Sequence, residues 1–188
     1  MNARFLPLIG IPEPNAAPTT ASADLRAALE RHHAESMGWA MACCGFDRSE
    51  ASDVLQDTYL KVLDGRAVFR GDSSFRTWLF GVVRRTASEH RRNVFRRLSA
   101  MWRVVADDVA TDATDPDAAI DGRAVADRLR AALKTLPARQ RQVLHLVFHE
   151  DMTVEGAAGV MGVSVGSART HYARGKARVR EFLEGRLP

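Results

Sequence analysis

The stretch TVEGAAGVMGVSVGSARTHYARGKARV, residues 153–179, decides how the chain is read. Thr153 to Met161 has the make-up of a short helix, and Gly162-Val163 that of a tight turn, where a glycine supplies positive φ. Ser164 is a helix-capping residue, and the helical pattern resumes at Val165 and runs to Leu183. A short helix, a glycine turn and a longer helix make helix-turn-helix spacing. Ala158 is small where the two helices must approach closely. Val165, Ala168 and Tyr172 fall at i, i+3 and i+7 and are expected to point inward, leaving Ser167, Arg169, Thr170, His171 and Arg174 outside. Residues 169–180 carry five basic side chains and no acid. In a major groove the first turns of such a helix reach base edges and later arginines hold phosphates. Any helical hairpin could share the spacing, so the rest of the chain has to arbitrate.

Upstream, residues 104–122 hold six aspartates, Pro116 and no basic residue, with no periodicity, which reads as a linker. The remaining pattern is helical, with no trustworthy period-2 strand and no fixed-length repeat. The expected fold class is all-α: two small helical domains joined by a flexible acidic linker. A first helix should run from an Asp24 cap to about Cys44, ended by Gly45. Asp47 followed by Glu50 starts a second. Ser73 or Ser74 caps a third, from Phe75 to about Asn93, and Pro137 suits the first turn of a later helix. Residues 1–22, with Pro7, Pro12, Pro14 and Pro18, read as a flexible tail.

The second helix places Ala51, Val54, Leu55, Thr58, Tyr59 and Val62 on one stripe. Asp53, Gln56, Asp57, Leu60 and Asp64 lie opposite. Periodicity alone allows a merely solvated acidic face, but Leu60 within it could anchor an interface. On the third helix Phe75, Trp78, Leu79, Val82 and Val83 share a face that reads as core. The other face presents Thr77, Phe80, Arg84, Ser88 and Arg91. Residues 84–103 contain seven arginines against the single acid Glu89, a density suited to a phosphate backbone. The preceding segment DGRAVFRGDSS (64–74) carries Arg66, Phe69 and Arg70, and a loop with an aromatic and arginines can hold an unstacked base.

Composition narrows the field. The 188 residues carry 27 basic and 23 acidic side chains, a net +4 whose distribution matters more than its size. Only Lys61, Lys134 and Lys176 are lysines, so the basic set is arginine, the planar fork that fits phosphates and base edges. Cys43 and Cys44 are adjacent and build neither a disulfide framework nor a zinc pattern; they read as small apolar helix residues in a reducing cytoplasm. No apolar run approaches a membrane span. The short run Phe5–Ile11, broken by Pro7, does not read as a signal peptide. His145 and His149 lie at i, i+4 with Glu150 next, but the order is not HExxH, so polar residues on an amphipathic helix are the expectation. His32 and His33 lack zinc spacing with the cysteines. No phosphate loop, nucleophile elbow or acid–base pair stands out, and no catalytic residue, metal or cofactor is expected.

Taken together, ASDVLQDTYLKVL (51–63), FRGDSSFRTWLFGVV (69–83) with Arg91-Arg92, LPARQRQVLHLVF (136–148) and the 153–179 stretch resemble sigma factors of bacterial RNA polymerase, of the compact extracytoplasmic-function (ECF) type. The resemblance covers most of 24–183. It implies a tail at 1–22, sigma domain 2 at 23–98, a linker at 99–122 and sigma domain 4 at 123–185. It implies a cytoplasmic promoter-specificity subunit, not an enzyme, that binds core polymerase and melts promoter DNA. Asp53, Gln56, Asp57 and Leu60 would dock on the β′ clamp helices, with the β subunit also a partner. Arg66, Phe69, Arg70, Thr77, Phe80, Arg84, Arg85, Ser88, Arg91 and Arg92 would serve the −10 element, and Ser167, Arg169, Thr170, His171, Arg174, Lys176 and Arg178 the −35 element. The linker would thread toward the RNA path, its aspartates imitating RNA, and an anti-sigma factor would mask the docking surfaces. The chain departs from the pattern at Ser52, usually acidic, at Arg85, often Asn, and at Gly156, Ala157 and Ala168, usually Glu, Ile and Val. A thin domain 4 core is expected, since each missing methylene weakens packing by ~1 kcal/mol. A stand-alone helix-turn-helix regulator would leave 51–83 unexplained, and a metal-dependent helical hydrolase would have to use His145 and His149.

Overall fold

Helix ends are set locally by side-chain caps. In the computed structural model, which describes residues 20–101 and 122–185, the Asp47 carboxylate accepts the Glu50 N–H at 2.8 Å and starts α3 (Arg48–Leu63). Ser74 Oγ accepts the Thr77 N–H at 3.2 Å and starts α4 (Phe75–Met101), which runs past the expected end at Asn93. Residues 1–19 and 102–121, most of the expected tail (1–22) and linker (99–122), lie outside the described residues; the described remainder of both, 20–22, 99–101 and 122, is helical.

The helix expected from Asp24 to Cys44 is two helices, α1 (Thr20–Arg31) and α2 (His33–Cys43), and Asp24 sits inside α1 rather than at its cap. The break falls at His32, with no glycine or proline to announce it. His32 leaves helical geometry (φ −100°, ψ 11°), and its ring meets Glu35 Oε2 at 3.0 Å and stacks on Phe75 at 5.9 Å. Those contacts hold the His32 side chain across the break, while the His32 N–H still donates to the Ala28 carbonyl at 3.3 Å. As expected, α2 ends just before Gly45, whose φ of +71° turns the chain toward α3.

The α3 stripe behaves as its period demands: Ala51, Val54, Leu55, Thr58 and Val62 are buried and Tyr59 half-buried. Helix α4 is apolar on two sides. Leu79 and Val82, with half-buried Phe75 and Trp78, pack with Leu29 of α1 and Val62 of α3. Phe80, Val83 and Ala87, at i, i+3 and i+7, join a second and larger cluster.

The second half contains α5 (Gly122–Thr135), α6 (Ala138–Phe148), α7 (Val154–Met161) and α8 (Val165–Leu183). Pro137 immediately precedes α6. Thr153 Oγ1 accepts the Gly156 N–H at 3.1 Å and Ser164 Oγ the Ser167 N–H at 3.2 Å, so both helices of the turn are capped. Gly162, at φ +58°, ends α7 in left-handed geometry, as the turn requires. Ala168 is fully buried. Val165, expected inside, is exposed, because it opens the first turn of α8, which projects beyond α7.

The two halves share one core. Trp39, Ala42 and Cys43 of α2 and Phe80 and Val83 of α4 belong to the same cluster as Val143 and Leu146 of α6 and Ala157, Val160 and Met161 of α7. Helix α2 lies against α6 and α4 against α7. The thin second half, with alanine at 157 and 168, is completed by side chains of the first. Full burial of one such aliphatic or aromatic side chain is worth about 1.5–3 kcal/mol. Polar bonds stitch the same seam. Arg141 Nε donates to the Ala42 carbonyl at 2.9 Å, and Gln142 Nε2 reaches Cys43 Sγ at 3.6 Å. Arg76 Nη1 donates to the Glu150 carbonyl at 3.1 Å, and its Nη2 bonds the Glu150 carboxylate.

Candidate polymerase and nucleic-acid interfaces

On α3 the face opposite the core carries Asp53, Gln56, Asp57 and Leu60, all exposed. Leu60 is 45% exposed, while the aliphatic residues Ala51, Val54, Leu55 and Val62 of the opposite stripe are buried. Asp64, just past the helix, is drawn away to Arg66 at 2.9 Å.

The loop 64–74 begins at Gly65 (φ +70°) and bends again at Gly71 (φ +82°). Arg66, Phe69 and Arg70 are exposed. Phe69 sits edge-on to Phe75 at 5.5 Å and lies 5.4 Å from Trp78, so its ring is steadied from one side and open on the other. Between this loop, α4 and α7 lies a groove of about 550 Å³, edged by Arg66, Arg70, Thr77 and Arg85 and floored in part by Trp78. Its rim is cationic and its floor aromatic, the two things an extruded base and its phosphate require.

Along α4, Arg85, Arg91 and Arg92 are exposed, while Thr77, Arg84 and Ser88 are half-buried. Arg84 Nε is buried without a hydrogen-bond partner. Burial, together with the like charges of Arg139, Arg91 and Arg85, pushes this guanidinium below its ordinary value, partly offset by Cys43. Phe80 corrects the expectation that it stands on the outer face: it is fully buried, stacked on Trp39 at 6.0 Å, and its carbonyl accepts the Trp39 indole N–H at 2.9 Å. The Arg76 guanidinium lies 5.2 Å from its ring centre. The physical reason is the second half, whose α6 and α7 side chains close over this side of α4.

On α8, Ser167, Arg169, Thr170, Arg174, Lys176 and Arg178 are exposed and His171 is half-buried. Arg169 is held by Glu155 Oε1 at 2.7 Å, across the turn. The Lys176 ammonium lies 5.3 Å from the Tyr172 ring centre. Thr170 Oγ1 back-bonds to the Gly166 carbonyl, which fixes its rotamer.

The remaining polar cluster is the His145, His149 and Glu150 group that the sequence reading weighs and sets aside. His145, read only as a polar residue of an amphipathic helix, is almost covered, and its ring lies 5.6 Å from that of Trp39. Its Nε2 and His149 Nδ1 each lie 3.1 Å from Glu150 Oε1. Burial alone would raise the Glu150 carboxyl. The His145 hydrogen bond, the charges of His145 and Arg76, and the His149 bond outweigh it and hold the group below its ordinary range. Only Glu150 directly after the i, i+4 histidines hinted at this in the sequence.

A capped helix-turn-helix and an arginine-lined loop and helix, with an acidic, apolar-anchored face beside them, are features a transcription initiation factor can use. No helix among the described residues is long and apolar enough to cross a membrane. Comparison with known proteins agrees with that class. The model of sigma-70 region 2 matches residues 28–97, and that of sigma-70 region 4 matches residues 126–179. RNA polymerase sigma factor HrpL of Pseudomonas syringae pv. syringae is 26% identical over 139 residues, 72% of this chain and 74% of that protein. ECF RNA polymerase sigma factor SigX of Bacillus subtilis is 26% identical over 141 residues, 73% of each. Among solved structures, the sigma factor RpoE of Bartonella quintana, crystallised with the anti-sigma factor NepR, shares the fold. Its TM-score is 0.68 at 23% identity, covering 86% of this chain and 97% of that one. The chain belongs to the sigma-70 family of RNA polymerase sigma factors, in its ECF group, and works in transcription initiation.

Proposed function

We propose that the first half of the chain holds core polymerase and opens the −10 element while α7 and α8 read the −35 element. The observation that carries this is Leu60, an exposed aliphatic side chain framed by Asp53, Gln56 and Asp57 on a helix whose other face is fully committed to the core. Once covered by a partner, an aliphatic side chain framed by polar residues supplies the apolar centre and polar rim of an interface. Its partner is the basic surface of the β′ clamp helices, with the β subunit contacted elsewhere.

The groove between loop 64–74 and α4 takes the extruded base, with Trp78, backed by the exposed ring of Phe69, as stacking surface and Arg66 and Arg70 on the flanking phosphates. Thr77, Arg84, Arg85, Ser88, Arg91 and Arg92 track the strand. Phe80, being core, is not part of this surface in the closed arrangement. On α8, Ser167, Arg169, Thr170 and His171 face base edges; Arg174, Lys176 and Arg178 hold phosphates. The protein does this in the cytoplasm as a non-enzymatic subunit, held in reserve by an anti-sigma factor that covers α3, as sigma factors such as RpoE are bound by theirs.

Titration of labelled core polymerase tests the docking face. Leu60→Glu is expected to weaken binding by ~2 kcal/mol or more, about thirtyfold, with helicity unchanged. Arg169→Ala in the same assay leaves core binding alone and relaxes −35 sequence preference by ~1–3 kcal/mol. Undiminished core affinity in Leu60→Glu would remove α3 as the docking surface.

A further inference from the structure

The cluster at the end of α6 has the geometry of a metal site, and it rests on observations independent of the promoter-reading surfaces. His145 and His149 stand one helical turn apart, so both rings lie on one face, stacked with centroids 4.7 Å apart. Asp151 then adopts left-handed geometry (φ +52°), and the Met152 N–H donates to the Leu146 carbonyl at 2.9 Å. That turn folds the Glu150 side chain back beneath the helix. One ligand atom from each of His145, His149 and Glu150 lies within 4.8 Å of the others.

The two nitrogens lie 3.1 Å from the shared oxygen. A tetrahedral zinc ion with Zn–N and Zn–O bonds of about 2.0–2.2 Å has neighbouring ligands roughly 3.3–3.6 Å apart. The two N···O separations need to open by only a few tenths of an ångström, and the two ring nitrogens lie within 4.8 Å of each other. Two imidazoles and one carboxylate suit zinc and its first-row neighbours, not magnesium or calcium, which select oxygen ligands. Access is graded in the right sense: the Glu150 side chain is 1% exposed, His145 10% and His149 67%. The inner ligands are fixed while the outer one leaves room for water as a fourth ligand.

The outer shell is in place as well. Arg76 holds the other Glu150 oxygen and its backbone carbonyl, which orients the carboxylate. Its charge also lowers the affinity for a cation, so binding in the micromolar range is expected, weaker than a closed four-ligand structural site. We infer that His145, His149 and Glu150 bind one divalent transition-metal ion of the zinc type, at the seam between the two halves.

The test is a titration of the purified full chain with Co²⁺ as spectroscopic probe and with Zn²⁺ against a chromophoric chelator. One equivalent per chain should bind, and Co²⁺ should give the intense visible bands of a four-coordinate site. His149→Ala, which alters an exposed ring and spares the core, should lower the affinity at least tenfold at unchanged melting temperature. His33→Ala, remote from the site, should bind as the parent does. His149→Asn guards against a folding defect in the alanine variant and should lose the same affinity. Absence of uptake at micromolar metal, or equal affinity in His149→Ala and the parent, would overturn the site. So would a weak octahedral Co²⁺ spectrum.

Discussion

Phe80→Ala separates two incompatible places for one ring. On a DNA-reading face, its removal would leave stability within about ±0.5 kcal/mol, as for most surface changes. In the structure the ring is fully buried among Trp39, Val83 and the α6–α7 side chains, with the Arg76 guanidinium 5.2 Å from its centre. Truncating a buried phenylalanine to alanine costs ~3–5 kcal/mol, of which the aromatic contact to Trp39 accounts for ~0.5–1.5 kcal/mol. The site cannot collapse to recover much of this. Arg76 is tied to Glu35 and Glu150, and the Phe80 backbone is pinned by the Trp39 indole. A loss near 4 kcal/mol is therefore expected. With a urea m-value of ~2 kcal/mol/M, the unfolding midpoint falls by about 2 M. Equilibrium unfolding followed by tryptophan fluorescence and far-UV circular dichroism measures it, with Arg85→Ala as the exposed comparison on the same helix. A loss under ~1 kcal/mol together with weakened −10 single-strand binding would refute the packing argument and return Phe80 to the DNA face.

Three further outcomes follow from the geometry. A Cβ on Gly175 would lie 3.1 Å from Leu144 Cδ1 and 3.3 Å from Gln140 Cβ, both on buried α6 side chains. Gly175→Ala should thus destabilise by roughly 1 kcal/mol net, overpacking of ~1–3 kcal/mol outweighing a helix-propensity gain of ~1 kcal/mol; a stabilised variant in thermal melts would contradict the close α6–α8 approach. Glu155→Gln frees Arg169 from its exposed ion pair. Affinity for −35 duplex should rise at low salt and converge with the parent as salt increases, and an unchanged affinity by anisotropy would show that Arg169 does not reach DNA. Burial, chiefly, pushes the Cys44 thiol up to about 12, and Cys43 is raised further by burial and by its neighbour. Neither should react appreciably with a thiol reagent at pH 8 until the chain is unfolded, when both should titrate; rapid labelling of the native protein would show that α2 is not packed.

What could be read in advance was whatever one helix encodes by itself. The α3 stripe, the Asp47 and Ser164 caps and the left-handed Gly162 are local matters of period and hydrogen bonding, and they stand as expected; Thr153, read as the first residue of its helix, turns out to cap it. The break at His32 has no local marker because it is stabilised by Glu35 and by Phe75, the latter 43 positions along. Phe80 misled because a helical wheel shows which residues are apolar but not how many neighbours a helix has. Leu79 and Val82 pack with α1 and α3, while Phe80, Val83 and Ala87 join the cluster shared by α2, α3, α6 and α7. The breadth of that apolar arc, too wide for one partner, was the available clue. The His145–His149–Glu150 cluster was hidden for a similar reason, since only the turn at Asp151 brings the carboxylate back to the rings.

The common core also bears on how such chains can be recombined. Sigma factors invite the construction of hybrids in which the −35 reader of one is joined to the polymerase-binding half of another. Here a cut within 102–121 would be covalently harmless but physically costly. Trp39 and Phe80 would meet a stranger's α6 and α7, and the Arg141 bond to the Ala42 carbonyl would have no counterpart. A graft that moves only the outward residues of α8, leaving Val143, Leu146, Val160 and Met161 native, changes what is read while the inner surface still matches itself.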